Sequence, residues 1–255
     1  MINTEQKTVV VTGAAGGMGQ AICKKFVANG YVVIASDSNA ERLIDTTDEL
    51  NRSRQNVLAK PGDLRSKAYC EDLIDTAIRL TARLDALVNN AGIITRGTIL
   101  ETSDEDWEKT FDINLKAIFY TCRRAIAFMK ENGGGSIVNI SSTWGIYPGP
   151  SHAAYCASKA AVATFSRCLG RDHAGDRIRI NAVCPGEIDT PMLRSGFMHR
   201  GFDPDTAVAE LSKSNPLGRL GDPEDIADAV YFLSSDAACF IAGTALEVHG
   251  AKAVY

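Results

Sequence analysis

The chain of 255 residues has no clustered run of Lys and Arg, no apolar stretch near the length of a membrane span and no CxxC pair. Each absence removes a class of function. With a formal net charge of −4 and no basic cluster, nucleic acid and anionic membrane are excluded as main partners, since both demand concentrated positive charge. A spanning helix needs about 20 consecutive apolar residues, so no transmembrane segment is expected. The opening "MINTEQKTVVVTGAAGG" lacks the charged, apolar and small regions of a signal peptide, and a cytoplasmic protein is expected. Seven cysteines (Cys23, Cys70, Cys122, Cys156, Cys168, Cys184, Cys239) form an odd set, and four histidines (His152, His173, His199, His249) show no ligand spacing. Reduced, mostly buried thiols and no metal site follow. Nor is there a Pro/Gly/Ser-rich linker, an internal repeat or a low-complexity segment, so one domain over residues 1–255 is expected.

What is present is a regular alternation. Short β-branched runs at 7–13, 31–37, 55–63, 84–90, 135–142, 178–186 and 244–250 read as strands, and the segments between them read as helices. Runs that are apolar on both faces indicate a parallel sheet covered on both sides. The expected fold is α/β, a Rossmann-like doubly wound, mostly parallel sheet of seven strands with helices on both faces. The rhythm lapses only at 187–215, "EIDTPMLRSGFMHRGFDPDTAVAELSKSN", a long insertion that reads as a lid over a substrate pocket.

"VVVTGAAGGMGQAICKKF" places Gly13, Gly17 and Gly19, with Met18 among them, where the first strand turns into the first helix. Backbone without Cβ can approach a pyrophosphate closely, and a helix N-terminus offers free N–H groups to the anion. The spacing alone also suits a purely structural strand-to-helix turn. Asp37, ending the second strand 18 residues after Gly19, adds an acid placed to accept hydrogen bonds from an adenosine ribose and to repel a 2′-phosphate. Gly16 leaves the loop without a cation for such a phosphate, so NAD is favoured over NADP. The same Asp37 also reads as a turn aspartate that caps the next helix, and both roles can coexist.

A second signal is a gap in charge. Between Glu131 and Arg167, Lys159 is the only Asp, Glu, Lys or Arg in a chain that is 23% charged. Tyr155 precedes it by four residues, so the two share a face if 152–170 is helical.

With these motifs on view, the chain resembles the short-chain dehydrogenases/reductases in their compact single-domain form. The resemblance runs through "TGAAGGMG" (12–19), "GDL" (62–64), "NNAG" (89–92), "INL" (113–115), "NISS" (139–142), "YCASK" (155–159), "NAVCPG" (181–186) and "GDPEDIADAVYFLSSDAACFIAG" (221–243). It implies hydride transfer between a CH–OH group and a nicotinamide cofactor. By the same resemblance Asp63 and Leu64 lie at the adenine, Asn90, Ala91 and Gly92 hold the cofactor against the sheet, and Pro185, Gly186, Ile188 and Thr190 pack on the nicotinamide. Asn114, Ser142, Tyr155 and Lys159 are the implied catalytic set, with Tyr155 and Lys159 also touching cofactor. A homotetramer is implied as well. The chain departs from the family at "VHGA", where His249 and Ala251 replace two residues of an expected Asp-Gly-Gly turn.

For Tyr155 to take an alcohol proton, its phenol must ionise well below its free pKa of about 10. One ammonium about 6 Å away supplies on the order of 3 kcal/mol at an effective dielectric of 20, and the positive nicotinamide of the oxidised cofactor adds to it, so Lys159 and the cofactor together are expected to lower it. Each residue has a plainer reading: Ser142 as a cap after the fifth strand, Tyr155 as a core aromatic, Asn114 as a backbone-satisfying amide. The pocket is expected to be lined by Ser142, Thr143, Trp144, Ile146, Tyr147, His152, Ile94, Thr95 and Glu187, a polar and aromatic mixture suited to a small sugar, polyol or hydroxy acid. Arg194, His199 and Arg200 either meet an acid or form a solvated lid face. The competing functions are an NAD-dependent secondary-alcohol dehydrogenase, a 3-oxoacyl thioester reductase and a non-catalytic NAD-binding scaffold.

Overall fold

Three consecutive valines show how the layers arise. Side chains alternate across a strand, so in β1 (Thr8–Thr12) Val9 and Val11 enter one buried cluster while Val10 enters the other. Both faces of the strand are therefore interior. A computed structural model of the chain describes residues 6–52 and 56–252. Its strands β1, β2 (Val32–Asp37), β3 (Val57–Pro61), β4 (Ala86–Asn89), β5 (Gly135–Ile140), β6 (Ile178–Pro185) and β7 (Ala245–Val248) form one sheet in the order β3-β2-β1-β4-β5-β6-β7. Every pairing is parallel, not only most of them. The strands are shorter than the sequence runs suggest, and Gln55 of the expected third strand lies outside the described residues.

The helices are α1 (Gly17–Ala28), α2 (Ala40–Asn51), α3 (Lys67–Thr81), α4 (Asp104–Phe111), α5 (Ala117–Glu131), α6 (Ala153–His173), α7 (Pro191–His199), α8 (Pro204–Lys213) and α9 (Pro223–Ser234). Phe26 of α1 anchors one layer, edge-on to Tyr31 at 5.0 Å and to Tyr231 of α9 at 5.5 Å. Edge-to-face pairs of this kind contribute about 1 kcal/mol each beyond area burial. Between α4 and α5 the chain makes a π-turn over Asp112–Lys116, which carries the fully buried Asn114. Such turns widen a helix locally and redirect its side chains.

Parallel strands all end at the same edge of the sheet, so the segments after β1, β2, β4, β5 and β6 converge there. A crevice outside the carboxyl ends is the consequence. The 187–215 segment is not the irregular insertion expected, since it forms α7 and α8. Thr190 and Asp203 cap these helices by accepting the Leu193 N–H at 3.4 Å and the Thr206 N–H at 2.9 Å, each cap followed by a proline at the first helical position. Five cysteines are buried and Cys168 and Cys239 are exposed, all as free thiols.

Candidate active site

The glycine loop is shaped by close backbone packing. Gly13 has φ of +65°, and a Cβ there would lie 2.8 Å from Ala91 Cα. A Cβ on Gly19 would fall 2.0 Å from Gly13 O, so only glycine permits this turn. Gly16 caps α1 without any side-chain hydrogen bond, which leaves the first N–H groups of the helix open to a ligand. Across the crevice stand Thr190 and Pro191, within 3.2 and 3.3 Å of where a Gly17 Cβ would be. Capless helix, missing side chains and facing threonine fit a dinucleotide pyrophosphate.

Around this loop the sequence-predicted residues gather. Asp37 accepts the Ala15 N–H at 3.1 Å and the Asn39 N–H at 3.0 Å, tying the glycine loop to the end of β2. It does not cap α2; Asn39 does, accepting from Arg42 N. Asn90 donates to Thr12 O and Gly13 O at 3.1 and 3.0 Å, while Asn90 N and Ala91 N both reach Thr12 Oγ1. Leu64 is buried in the core. Asp63 is exposed and forked onto Arg65, with Nη2 2.6 Å from Oδ2; the guanidinium holds its carboxyl below the usual carboxylate range. Pro185 ends β6 with Gly186 directly after it, and Ile188 pairs with Gly221.

The second cluster forms where β5 meets α6. Lys159 lies in the buried stripe of α6 with Ala154, Ser158, Val162 and Ala163, as the charge gap implies. Its Nζ donates to Ile140 O at 2.9 Å and sits 5.9 Å from the Tyr155 ring centroid. A Cβ on Gly92 would lie 3.1 Å from that Nζ and 3.3 Å from Asn114 Oδ1, so these groups converge at the turn after β4. Asn114 accepts from Ile93 N at 2.8 Å and donates to Ile93 O and Ser158 Oγ, both at 3.0 Å. Ser142 Oγ accepts the Trp144 N–H at 3.1 Å, so it does cap the short turn after β5, and its hydroxyl is also within reach of Tyr155.

Burial governs the electrostatics here. It lowers Lys159 to about 8, leaving the ammonium mostly charged at neutral pH. The expected lowering counts Lys159 together with the cofactor's positive ring; in the chain by itself burial acts the other way on the Tyr155 phenol. Desolvation of the enclosed hydroxyl raises its pKa above 10, and the Ser142 hydrogen bond only partly opposes this. Counting charges along a sequence registers the ammonium and misses the lost water.

Both clusters face one cavity of about 190 Å³. Ser142, Thr143, Trp144, His152, Ile94 and Glu187 line it as expected, with Tyr155, Met18 and Thr190. Tyr147 does not; it is exposed on the surface, and neither Ile146 nor Thr95 reaches the wall. Thr95 instead bonds Thr110. Arg194 is also elsewhere, bound to Asp189 at 2.6 Å and Asp205 at 2.7 Å. Arg200 is on the wall, joined by Arg96, Met192, Leu193 and Gly196, none of which the sequence singled out. At the chain's atypical turn, His249 Nε2 lies 3.1 Å from Glu247, Ala251 takes a φ of +67° and Lys252 pairs with Glu187 at 3.3 Å.

The sequence profile of the short chain dehydrogenase family matches residues 7–200. The chain belongs to that family. As a short-chain dehydrogenase/reductase it is an oxidoreductase of the kind that uses a nicotinamide cofactor. It is 37% identical over 250 residues to a cyclopentanol dehydrogenase of Comamonas sp., covering 98% of each chain. Among solved structures this short-chain dehydrogenase superposes on an actinorhodin polyketide ketoreductase with NADPH, with a TM-score of 0.95, 31% identity and full coverage of both chains. It also superposes on a 3-ketoacyl-(acyl-carrier-protein) reductase from Brucella melitensis complexed with NADH, with a TM-score of 0.88, 29% identity and 97% and 98% coverage. Among the described residues of this family member no helix is long and apolar enough to cross a membrane.

Proposed function

We propose that the chain is an NAD-dependent dehydrogenase of a small secondary alcohol, a sugar, polyol or hydroxy acid, with both sites on one domain and the 187–215 helices as cover. The observation that carries this reading is the meeting of Ser142 and Tyr155 on the wall of the cavity that Met18 of the capless α1 N-terminus also lines, with Lys159 buried behind them, its Nζ 5.9 Å from the Tyr155 ring centroid. Gly13, Gly17, Met18, Gly19, Asn90, Ala91, Gly92, Pro185, Gly186, Ile188 and Thr190 would hold the dinucleotide, with Asp63 and Leu64 at its adenine. When bound, the nicotinamide supplies the hydride acceptor or donor. Asp37 at the end of β2 supports NAD, because a carboxylate there disfavours a 2′-phosphate.

Ser142 Oγ accepts the Trp144 N–H, and its own O–H remains available to hold the oxygen of the substrate beside Tyr155. Tyr155 Oη exchanges the hydroxyl proton with the substrate. One Lys159 N–H is used on Ile140 O, leaving two for a ribose hydroxyl and for the path along which the proton leaves. Asn114 clamps Ile93 and Ser158, fixing the turn that faces Lys159, and connects the site to solvent through water. The raised phenol makes the chain by itself a proton donor at neutral pH. Alcohol oxidation therefore accelerates, and ketone reduction slows, as the solution becomes more alkaline. The family's tetramer is part of the same reading, with the small-residue face of α6 suited to close contact.

The test is to follow reduced cofactor with NAD or NADP across a panel of sugars, polyols, hydroxy acids and 3-oxo thioesters. Tyr155→Phe should cut turnover by roughly 100- to 10,000-fold while the affinity for NAD stays within twofold. Full activity in that variant refutes the mechanism. NADP-linked turnover of 3-oxo thioesters alone would favour the second reading, an acyl-thioester reductase, to which the likeness to the Brucella protein lends support. NAD binding with no turnover across the panel would make the protein a scaffold.

A further inference from the structure

Two guanidinium groups face the cavity with no acid to meet them. Arg96, on the turn after β4, packs on Gly196 of α7 so closely that a Cβ there would lie 2.7 Å from its Nη2. Arg200, at the end of α7, donates from Nε to Gly196 O at 3.1 Å and stacks on Phe197 with its guanidinium carbon 5.1 Å from the ring centroid. Two cations from separate elements thus meet at one glycine. The single carboxylate on the wall is Glu187, and Lys252 occupies it at 3.3 Å. Neighbouring Arg194 has two aspartates, whereas among the described residues neither Arg96 nor Arg200 forms a salt bridge.

This arrangement has a cost within the fold. Burial and then the charge of Arg200 pull the Arg96 pKa down, and burial lowers His152 with both arginines adding to the shift. His152 Nδ1 lies 2.7 Å from Pro150 O, so the neutral ring donates there and supplies no negative charge. Arg96 is half-buried and Arg200 is exposed at the rim, and two unpaired cations that meet at one glycine are stabilised when an anion joins them, by charge-assisted hydrogen bonds that a guanidinium makes in pairs.

We propose that Arg96 and Arg200 hold the carboxylate of the substrate, which makes that substrate a hydroxy acid or its oxo acid, and not a neutral sugar or polyol. The inference rests on the proposed dehydrogenase reading. It places the acid group at the α7 end of the cavity and the reacting carbinol at Ser142 and Tyr155.

The test reads binding without turnover, so that its failure is separable from failure of the dehydrogenase reading. Trp144 stands on the cavity wall, its ring 4.5 Å from His152. With Trp107→Phe removing the other tryptophan and Tyr155→Phe stopping turnover in the titrated protein, Trp144 fluorescence is followed at saturating NAD with short 2- and 3-hydroxy acids, their methyl esters and inorganic phosphate. At least one acid is expected to bind on the order of 10- to 100-fold more tightly than its ester. Arg96→Met and Arg200→Met should each erase most of that preference, and Arg96→Lys should retain part of it because the charge remains. Acids that bind no better than their esters overturn the proposal, as does a preference that survives both methionine variants. Phosphate binding more tightly than every acid overturns the carboxylate assignment. A clear acid preference with no hydride transfer on any substrate would sustain the anion site and sink the dehydrogenase reading alone.

Discussion

The two walls of the crevice are held by different physics. On the glycine-loop wall, backbone meets backbone: a side chain on Gly13 or Gly19 would come within 2.8 Å of Ala91 Cα or 2.0 Å of Gly13 O. On the α7–α8 wall, α8 buries no residue, Met198 and Phe202 are 60% and 58% exposed, and Arg194 pairs with an Asp205 side chain that is 85% exposed. Close-packed interiors admit one arrangement, whereas exposed ion pairs contribute little each. One wall is therefore a fixed mould, and the other is tethered by charge and free to adjust to what it covers.

The sharpest way to break this contrast is Gly19→Ala. Its methyl would meet a backbone carbonyl that cannot turn aside, so the loop must shift at a cost upward of roughly 3 kcal/mol. Thermal melts should show the loss and NAD titration a matching drop in affinity. An alanine variant with native stability would mean that the loop is not backbone-limited. The second variant probes the shared floor. Lys159 titrates at about 8 when buried, against 10.5 for a free lysine, so between those values the unfolded chain binds more protons than the folded one. The burial penalty is full below pH 8 and fades as pH rises towards 10.5. Lys159→Met lacks that penalty, and its stability advantage over the natural chain should shrink by roughly 3 kcal/mol across this window in urea melts. A constant difference would show that Lys159 is not desolvated. The smallest effect belongs to the tethered wall: Arg194→Ala should cost less than about 1 kcal/mol, raise KM for substrate a few-fold and leave NAD affinity unchanged. A loss as large as that of Gly19→Ala would put both walls in the same class.

These two walls also mark where the sequence could be read. Tyr155 and Lys159 were legible because an i, i+4 pair carries its geometry within itself, and because a lone charge among small residues stands out; the helix expected at 152–170 forms at Ala153–His173. Asp37 was legible from its place after a run of β-branched residues, although its bonds to Ala15 and Asn39 were not. The helices within 187–215 went unread despite Thr190-Pro191 and Asp203-Pro204, since a cover with an exposed face lacks the apolar period that marks core helices. Arg96 had no signal at all, because only the fold brings the turn after β4 to Gly196. The rise of the Tyr155 pKa in the chain by itself had no signal for a related reason: desolvation belongs to the packed chain and leaves no trace in residue order.

One carboxylate joins subjects that are usually considered apart. Asp37 fastens the glycine loop through the Ala15 N–H and holds the next turn through the Asn39 N–H. If Asp37 turns away a phosphorylated ribose, as proposed, a descendant that exchanged it would unfasten its own glycine loop in the same step. On that proposal cofactor preference and loop shape are inherited as one trait, and a switch between dinucleotides would require a second substitution that supplies a new acceptor for Ala15.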